Sequence, residues 1–192
     1  MSTPEPPEGV RGMRADARRN RARILAAAEE VFAEKGPSAS TEEVAARAGV
    51  AVGTVFKHFP AKRDLLAAIM KDLLARLSAE AGELAEHGDP ATALFTFVSG
   101  TVERAAGKRT VVALLAESGA AVGIADSVRL LGEEVGRLLA GAQRAGAVRA
   151  DVRPDEVLAL LTAACQGALH AGWDADLRCR ALAVVFEGLR PR

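Results

Sequence analysis

Side chains that can form hydrogen bonds or carry a positive charge lie close together in the segment VGTVFKHFP, residues 52–60. The spacing of Val55 and Phe59 marks the buried face of a short helix. The remaining positions, which could therefore meet a DNA groove, are Val52, Gly53, Thr54, Lys57 and His58. The last three carry a hydroxyl, an ammonium and an imidazole group. Pro60 cannot continue a helix, so this one is predicted to be only about two turns long.

A second helix is predicted immediately before this segment. Ser40 is followed three residues later by Glu43, the spacing of a capping box, so the helix should begin at about Thr41. Gly49 supplies the left-handed conformation that ends a helix, and only a tight turn fits before residue 52. Two short helices joined at a glycine turn are typical of a helix-turn-helix.

A longer helix should precede this unit and provide its hydrophobic floor. Apolar residues repeat there at helical spacing, at Ile24, Leu25, Ala28, Val31 and Phe32. Six arginines and one acid, Asp16, lie between Arg11 and Arg23, which indicates a phosphate partner. Residues 1–19 are predicted to form a flexible basic arm in front of a DNA-binding domain spanning residues 20–63.

Residues 21–74 resemble the DNA-binding domain of the TetR family of transcriptional repressors. The resemblance depends on Ala48-Gly49-Val50, Gly53-Thr54, His58-Phe59-Pro60, Lys62 and Leu65-Leu66. It implies that the second short helix reads the major groove, that Lys62 holds phosphate, and that Ser40 and Thr41 present hydroxyl and N–H groups to phosphate. Thr54 would then contact a thymine methyl or phosphate, and Lys57 a guanine edge or the backbone.

Three residues depart from the family pattern. Phe56 stands where tyrosine is usual, so it can pack on sugars and base methyls but cannot donate a hydrogen bond to phosphate. Ala51 replaces a serine cap, a loss of ~1 kcal/mol in helix stability. Arg63 stands where an acid is common and could add a phosphate contact.

Composition fits this division of the chain. The 192 residues carry no net charge, but residues 1–63 have 11 Lys and Arg against 8 Asp and Glu, so the basic excess lies at the proposed reading end. Neither a membrane span nor a signal peptide is evident, which predicts a cytoplasmic protein. Cys165 and Cys179 lack metal-binding spacing, and we expect neither a metal nor a cofactor.

The rest of the chain predicts an all-α protein of about nine helices. The predicted helices after the first three span residues 62–86, 90–106, 108–117, 124–145, 154–171 and 174–189. Small and apolar residues on the last two indicate close helix packing, either in a monomer core or between subunits: Leu161, Ala164, Cys165, Ala168, Ala181, Val184, Val185 and Gly188. The resemblance favours a homodimer through a four-helix bundle, with residues 64–192 as the effector-binding and dimerisation domain.

The middle helices could line either a solid core or a cavity, and periodicity does not separate the two. The resemblance implies a cavity for a small, largely apolar effector. The candidate lining residues are Phe95, Val98, Leu114, Glu117, Leu131, Gln166 and Trp173.

Other functions are less well supported by the sequence. No GxSxG, GxGxxG, P-loop or HExxH motif suggests an enzyme. A carrier that uses the cavity without DNA remains an alternative, whereas an architectural DNA protein would need a more basic body. The sequence predicts a ligand-responsive repressor that binds a palindromic operator as a homodimer.

Overall fold

The computed structural model describes residues 8–106 and 125–191, and these residues form eight α-helices, one 3-10 turn and no strand. The helices are α1 (Glu8–Lys35), α2 (Thr41–Ala48), α3 (Val52–His58), α4 (Lys62–His87), α5 (Ala93–Ala106), α6 (Ala125–Arg144), α7 (Pro154–His170) and α8 (Ala175–Leu189). The all-α prediction is confirmed. The helix expected over residues 108–117 lies outside the described residues.

The first hydrophobic cluster joins α1, α2 and α3 to the start of α4. Phe32, Val44, Val55 and Leu65 are almost completely buried in it, one from each helix. Every helix therefore covers one apolar face of its neighbours, as expected for short helices that cannot be stable alone. Because α4 contributes buried side chains as far as Ile69, the structural unit extends beyond the boundary predicted after residue 63.

The N-terminal segment differs from the sequence prediction. Residues 8–19, expected to belong to a flexible arm, are the first turns of α1. Beyond Pro7 no proline interrupts this stretch, and its arginines and alanines favour helix, so the helix extends outward from the buried turns that begin at Ile24.

The second hydrophobic cluster is built from α4 to α8. Phe97, Val102, Val135 and Leu139 lie at its centre with almost no exposure. Met70 on α4 packs against both clusters, so a single helix connects the two cores. Among the described residues, no helix combines the length and the apolar character needed to cross a bilayer.

Candidate nucleic-acid interface

The N-terminus of α2 is held by the capping box that the sequence predicts. The Glu43 backbone N–H donates to Ser40 Oγ at 3.2 Å, and the Ser40 N–H donates to Glu43 Oε2 at 3.0 Å. Lys35 forms an ion pair with the same carboxylate. The hydrogen bond from Lys35, followed by that from the Ser40 N–H, lowers the pKa of Glu43 below its usual value. The start of α2 is thus fixed relative to the end of α1.

The turn between α2 and α3 has the predicted left-handed glycine. Gly49 adopts φ 63° and ψ 41°, and the N–H groups of Gly49 and Val50 donate to the carbonyls of Ala46 and Ala45. Arg23 on α1 reinforces this turn, because its Nη2 donates to the Ala48 carbonyl at 2.7 Å. A Cβ at position 49 would lie 2.9 Å from that nitrogen. Arg23 therefore stabilises the turn, although the sequence analysis counted it among the arginines expected to contact phosphate.

Helix α3 presents one buried and one exposed face. Val55 is fully buried and Phe59, its C-cap, is 3% exposed. On the opposite side Gly53 and Lys57 are exposed and Phe56 is 43% exposed, and a Cβ added at Gly53 would meet no atom within 4 Å. The exposed side of α3 is thus shaped for close approach of another surface.

Two predicted contact residues on α3 are half-buried, and a third differs from its prediction. Thr54 and His58 lie at the edges of the exposed face. Val52, expected to be free for a groove, packs partly against the first cluster. Ala51 provides no side-chain cap for α3, as predicted. Its carbonyl accepts the helical N–H groups of Thr54, at 2.8 Å, and of Val55.

The other predicted phosphate contacts flank α3. Ser40 and Thr41 are half-exposed at the start of α2. Lys62 lies at the start of α4, where its Nζ donates to the Ala39 carbonyl at 2.9 Å and lies 5.3 Å from the centre of the Phe32 ring. In this structure Lys62 therefore ties α4 to the segment before α2.

Ion pairs fix α2 on α1. Arg47 near the end of α2 pairs with Glu34 at 2.7 Å and Glu30 at 3.0 Å. The hydrogen bonds to these carboxylates, that to Glu34 foremost, raise the pKa of Arg47. Because all three side chains are exposed, the pairs orient the helices more than they stabilise them.

A cavity of about 260 Å³ lies in the C-terminal half, between α4, α5, α6 and α7. Its described wall is mostly apolar and consists of Met70, Leu73, Leu74, Leu77, Thr101, Arg104, Ala105, Leu131, Leu161, Thr162, Cys165, Gln166 and Leu169. Leu131 and Gln166 are thus placed in one cavity, as the sequence predicts. Burial raises the pKa of Cys165 to about 11, so its thiol is neutral.

The structure separates the other predicted cavity residues from this space. Phe95 and Val98 line a narrow crevice between α5, α7 and α8, where the Phe95 and Phe186 rings meet edge-on at 4.8 Å. Trp173 packs on Gly167, where an added Cβ would lie 2.5 Å from the ring. Leu114 and Glu117 lie outside the described residues.

The largest contribution that the sequence analysis missed comes from α4. Met70, Leu73, Leu74 and Leu77 form one wall of the cavity. Their helical repeat was visible in the sequence, but a repeat does not reveal whether the facing space is filled.

Some of the residues predicted to contact a second subunit are buried within the subunit, and others are exposed. Leu161 and Ala168 on α7 are buried inside the subunit, and Ala164, Cys165 and Val185 pack partly against its core. Val184, by contrast, is 75% exposed. Leu160, Ala163, Leu177 and Gly188 are four further exposed apolar residues of α7 and α8. We call these residues and Val184 the α7–α8 face.

Family models match both halves of the chain. Residues 24–69 match the model for bacterial regulatory proteins of the tetR family. Residues 89–191, more than half of the chain, match the model for the C-terminal domain of SbtR-like transcriptional regulators. Both models describe transcriptional regulators, which favours this class over an enzyme.

Solved structures of similar proteins cover nearly the whole chain. The TetR transcription regulatory protein from Mycobacterium vanbaalenii is 37% identical, with a TM-score of 0.75 over 93% of this chain and 99% of that one. The TetR regulator SCO0520 from Streptomyces coelicolor is 32% identical, with a TM-score of 0.69 over 89% and 98%.

A curated relative matches over a shorter stretch of the chain. The HTH-type transcriptional repressor Rv3405c of Mycobacterium tuberculosis is 45% identical over 58 residues, which make up 30% of this chain and 31% of the relative. The two family models and the full-length structural matches together show that this chain belongs to the TetR family of bacterial transcriptional regulators.

Proposed function

We propose that the protein is a transcriptional repressor that binds a palindromic operator as a homodimer and responds to a small effector. The observation that carries the proposal is the exposed side of α3, where Gly53, Phe56 and Lys57 stand clear of the protein. A helix presented in this way fits the major groove, and the half-exposed N-terminus of α2 beside it fits a phosphate. The cytoplasm is the proposed compartment.

Each proposed DNA contact has a distinct role. Ser40 and Thr41 hold phosphate, which sets the position of the protein on the duplex. Thr54 and Lys57 contact base edges, and Phe56 packs on a thymine methyl or a sugar. Lys62 reaches phosphate only if its bond to the Ala39 carbonyl is exchanged for one to DNA.

The α7–α8 face supports the proposed homodimer. Leu160, Leu177 and Val184 are exposed apolar side chains that a second copy would cover, and a twofold dimer presents the same surface twice. Such a dimer would hold two copies of α3 about 34–36 Å apart, the spacing of successive major grooves on one side of DNA.

The cavity beside α4 supports effector control. Leu73, Leu74 and Leu77 face the cavity, and Met70 on the same helix also packs against the DNA-binding unit. A ligand that fits the cavity better when α4 is displaced would favour the state in which the two α3 helices no longer match the grooves. A ligand that prefers that state ~100-fold contributes about 2.7 kcal/mol, so release from DNA should be partial.

Selection of bound duplexes from a genomic library tests this function. The expected product is a palindrome with half-sites about one helical turn apart, which wild type enriches strongly and Lys57→Ala enriches less. Lys71→Ala, which removes a lysine from the outside of α4, is the control and should select the same sequence. Enrichment of no sequence by the wild-type protein would reject the proposal.

A further inference from the structure

The chemistry of the cavity wall restricts the effector, and this inference depends on the proposed effector response. Arg104 is the charged side chain of the described wall. Its Nη2 donates to Glu80 Oε2 at 2.7 Å and to Thr101 Oγ1 at 3.4 Å. The charge on the guanidinium is thus already balanced by a carboxylate of the same protein, and an anion entering the cavity would have to compete with Glu80 for it.

The described wall offers no further charge to a ligand. Thr162 uses its hydroxyl to donate to the Leu158 carbonyl at 2.7 Å. The Cys165 thiol is neutral, and most of the remaining side chains are leucines. Arg104 and Glu80 are themselves partly exposed, but a charged group placed against the leucines would exchange water for apolar side chains without gaining an unpaired opposite charge, which is unfavourable.

A polar group remains for recognition. Thr101 is 7% exposed, and its oxygen accepts a hydrogen bond from Arg104. The hydroxyl hydrogen takes no part in that bond. A hydroxyl is both donor and acceptor, so Thr101 can donate to a carbonyl or ether oxygen of a bound molecule.

The volume sets the size of the molecule. An apolar cavity of about 150 Å³ holds one benzene ring, and the cavity here is about 260 Å³. The space beside the described wall is therefore large enough for a fused two-ring skeleton. We propose that the effector is an uncharged molecule of about this size that carries one hydrogen-bond acceptor, and that the Arg104–Glu80 pair excludes anions.

The test compares two probes of the same shape by isothermal titration calorimetry on the full chain. 2-Acetylnaphthalene is neutral, and 2-naphthoate replaces its methyl group with a negatively charged oxygen. The ketone should bind wild-type protein at least about tenfold more tightly than the carboxylate, because the buried carboxylate lacks a free partner. Equal affinity, tighter carboxylate binding, or binding of neither probe would overturn the proposal.

Glu80→Gln repeats the experiment with the negative charge beside Arg104 removed. The variant removes the partner of Arg104 from a half-exposed position on α4, so folding should be retained. The preference for the ketone should shrink by at least about tenfold, since Arg104 can then pair with the carboxylate. Glu83→Gln removes the same charge from an exposed position on α4 and should leave the preference unchanged. An equal effect of both variants would contradict a role for the Arg104–Glu80 pair.

Thr101→Val tests the hydrogen bond separately and should weaken the ketone about five- to tenfold. Operator binding is measured on the same samples without probe. Loss of the probe preference with normal operator binding rejects the inference about the cavity alone, whereas absence of operator binding by wild type rejects the proposed repressor function.

Discussion

Replacing Val184 by glutamate should dissociate the proposed dimer without unfolding the subunit. Val184 is 75% exposed in the isolated subunit, so the substitution removes few contacts within the fold. Burial of a whole valine contributes about 1.5–3 kcal/mol, and the part still exposed could contribute roughly 1–2 kcal/mol. Because a twofold interface contains the residue twice, the dimer should lose about 2–4 kcal/mol.

That loss corresponds to a dissociation constant raised at least ~30-fold, and the two buried charges add to it. Sedimentation equilibrium over a range of concentrations measures the constant directly. Urea unfolding of the variant at concentrations where it is monomeric reports whether the subunit remains folded. Operator affinity should fall with the dimer, since a single α3 contacts one half-site.

Two control variants make this result interpretable. Val185→Glu changes the neighbouring residue, which packs partly against the core, so it should lower the stability of the subunit itself at every concentration. Val128→Glu on α6 changes a valine that is 48% exposed outside the α7–α8 face and should alter neither property. A Val184→Glu protein that dimerises with the wild-type constant would refute our assignment of the interface.

Four further changes test the DNA-binding unit. Lys57→Ala should weaken operator binding by ~1–3 kcal/mol, and it should lower the salt slope by about 0.9 if the contact is to phosphate; unchanged anisotropy titrations would refute a contact. Arg23→Ala should lower the thermal midpoint but keep the salt slope, because this guanidinium is bonded to the Ala48 carbonyl; a shallower slope would identify it as a phosphate contact instead. Gly49→Ala should cost about 1–2 kcal/mol in urea unfolding, since φ is 63° there, and full stability would contradict a strained turn. The lowered pKa of Glu43 means that its contribution is complete above about pH 4.5 and is lost as pH falls through the folded-state value, so Glu43→Gln should flatten the acid limb of stability.

Local sequence determined most of the DNA-binding unit. The capping box at Ser40, the left-handed Gly49 and the end of α3 before Pro60 are fixed by interactions within a few residues. The division of α3 into a buried face with Val55 and an exposed face with Lys57 follows from helical spacing alone. These features could therefore be predicted from the chain.

Only the tertiary structure decided how side chains distant in sequence are paired. Arg23 was one of six similar arginines until the fold placed it beside the Ala48 carbonyl. Leucines of α4 and Phe95 of α5 have the same apolar character, yet the former line the cavity and the latter packs against Phe186. Val184 and Val185 are adjacent, but packing of α8 buries one more than the other. Periodicity specifies which residues turn away from water, whereas helix packing determines whether another side chain, a cavity or a second subunit meets them.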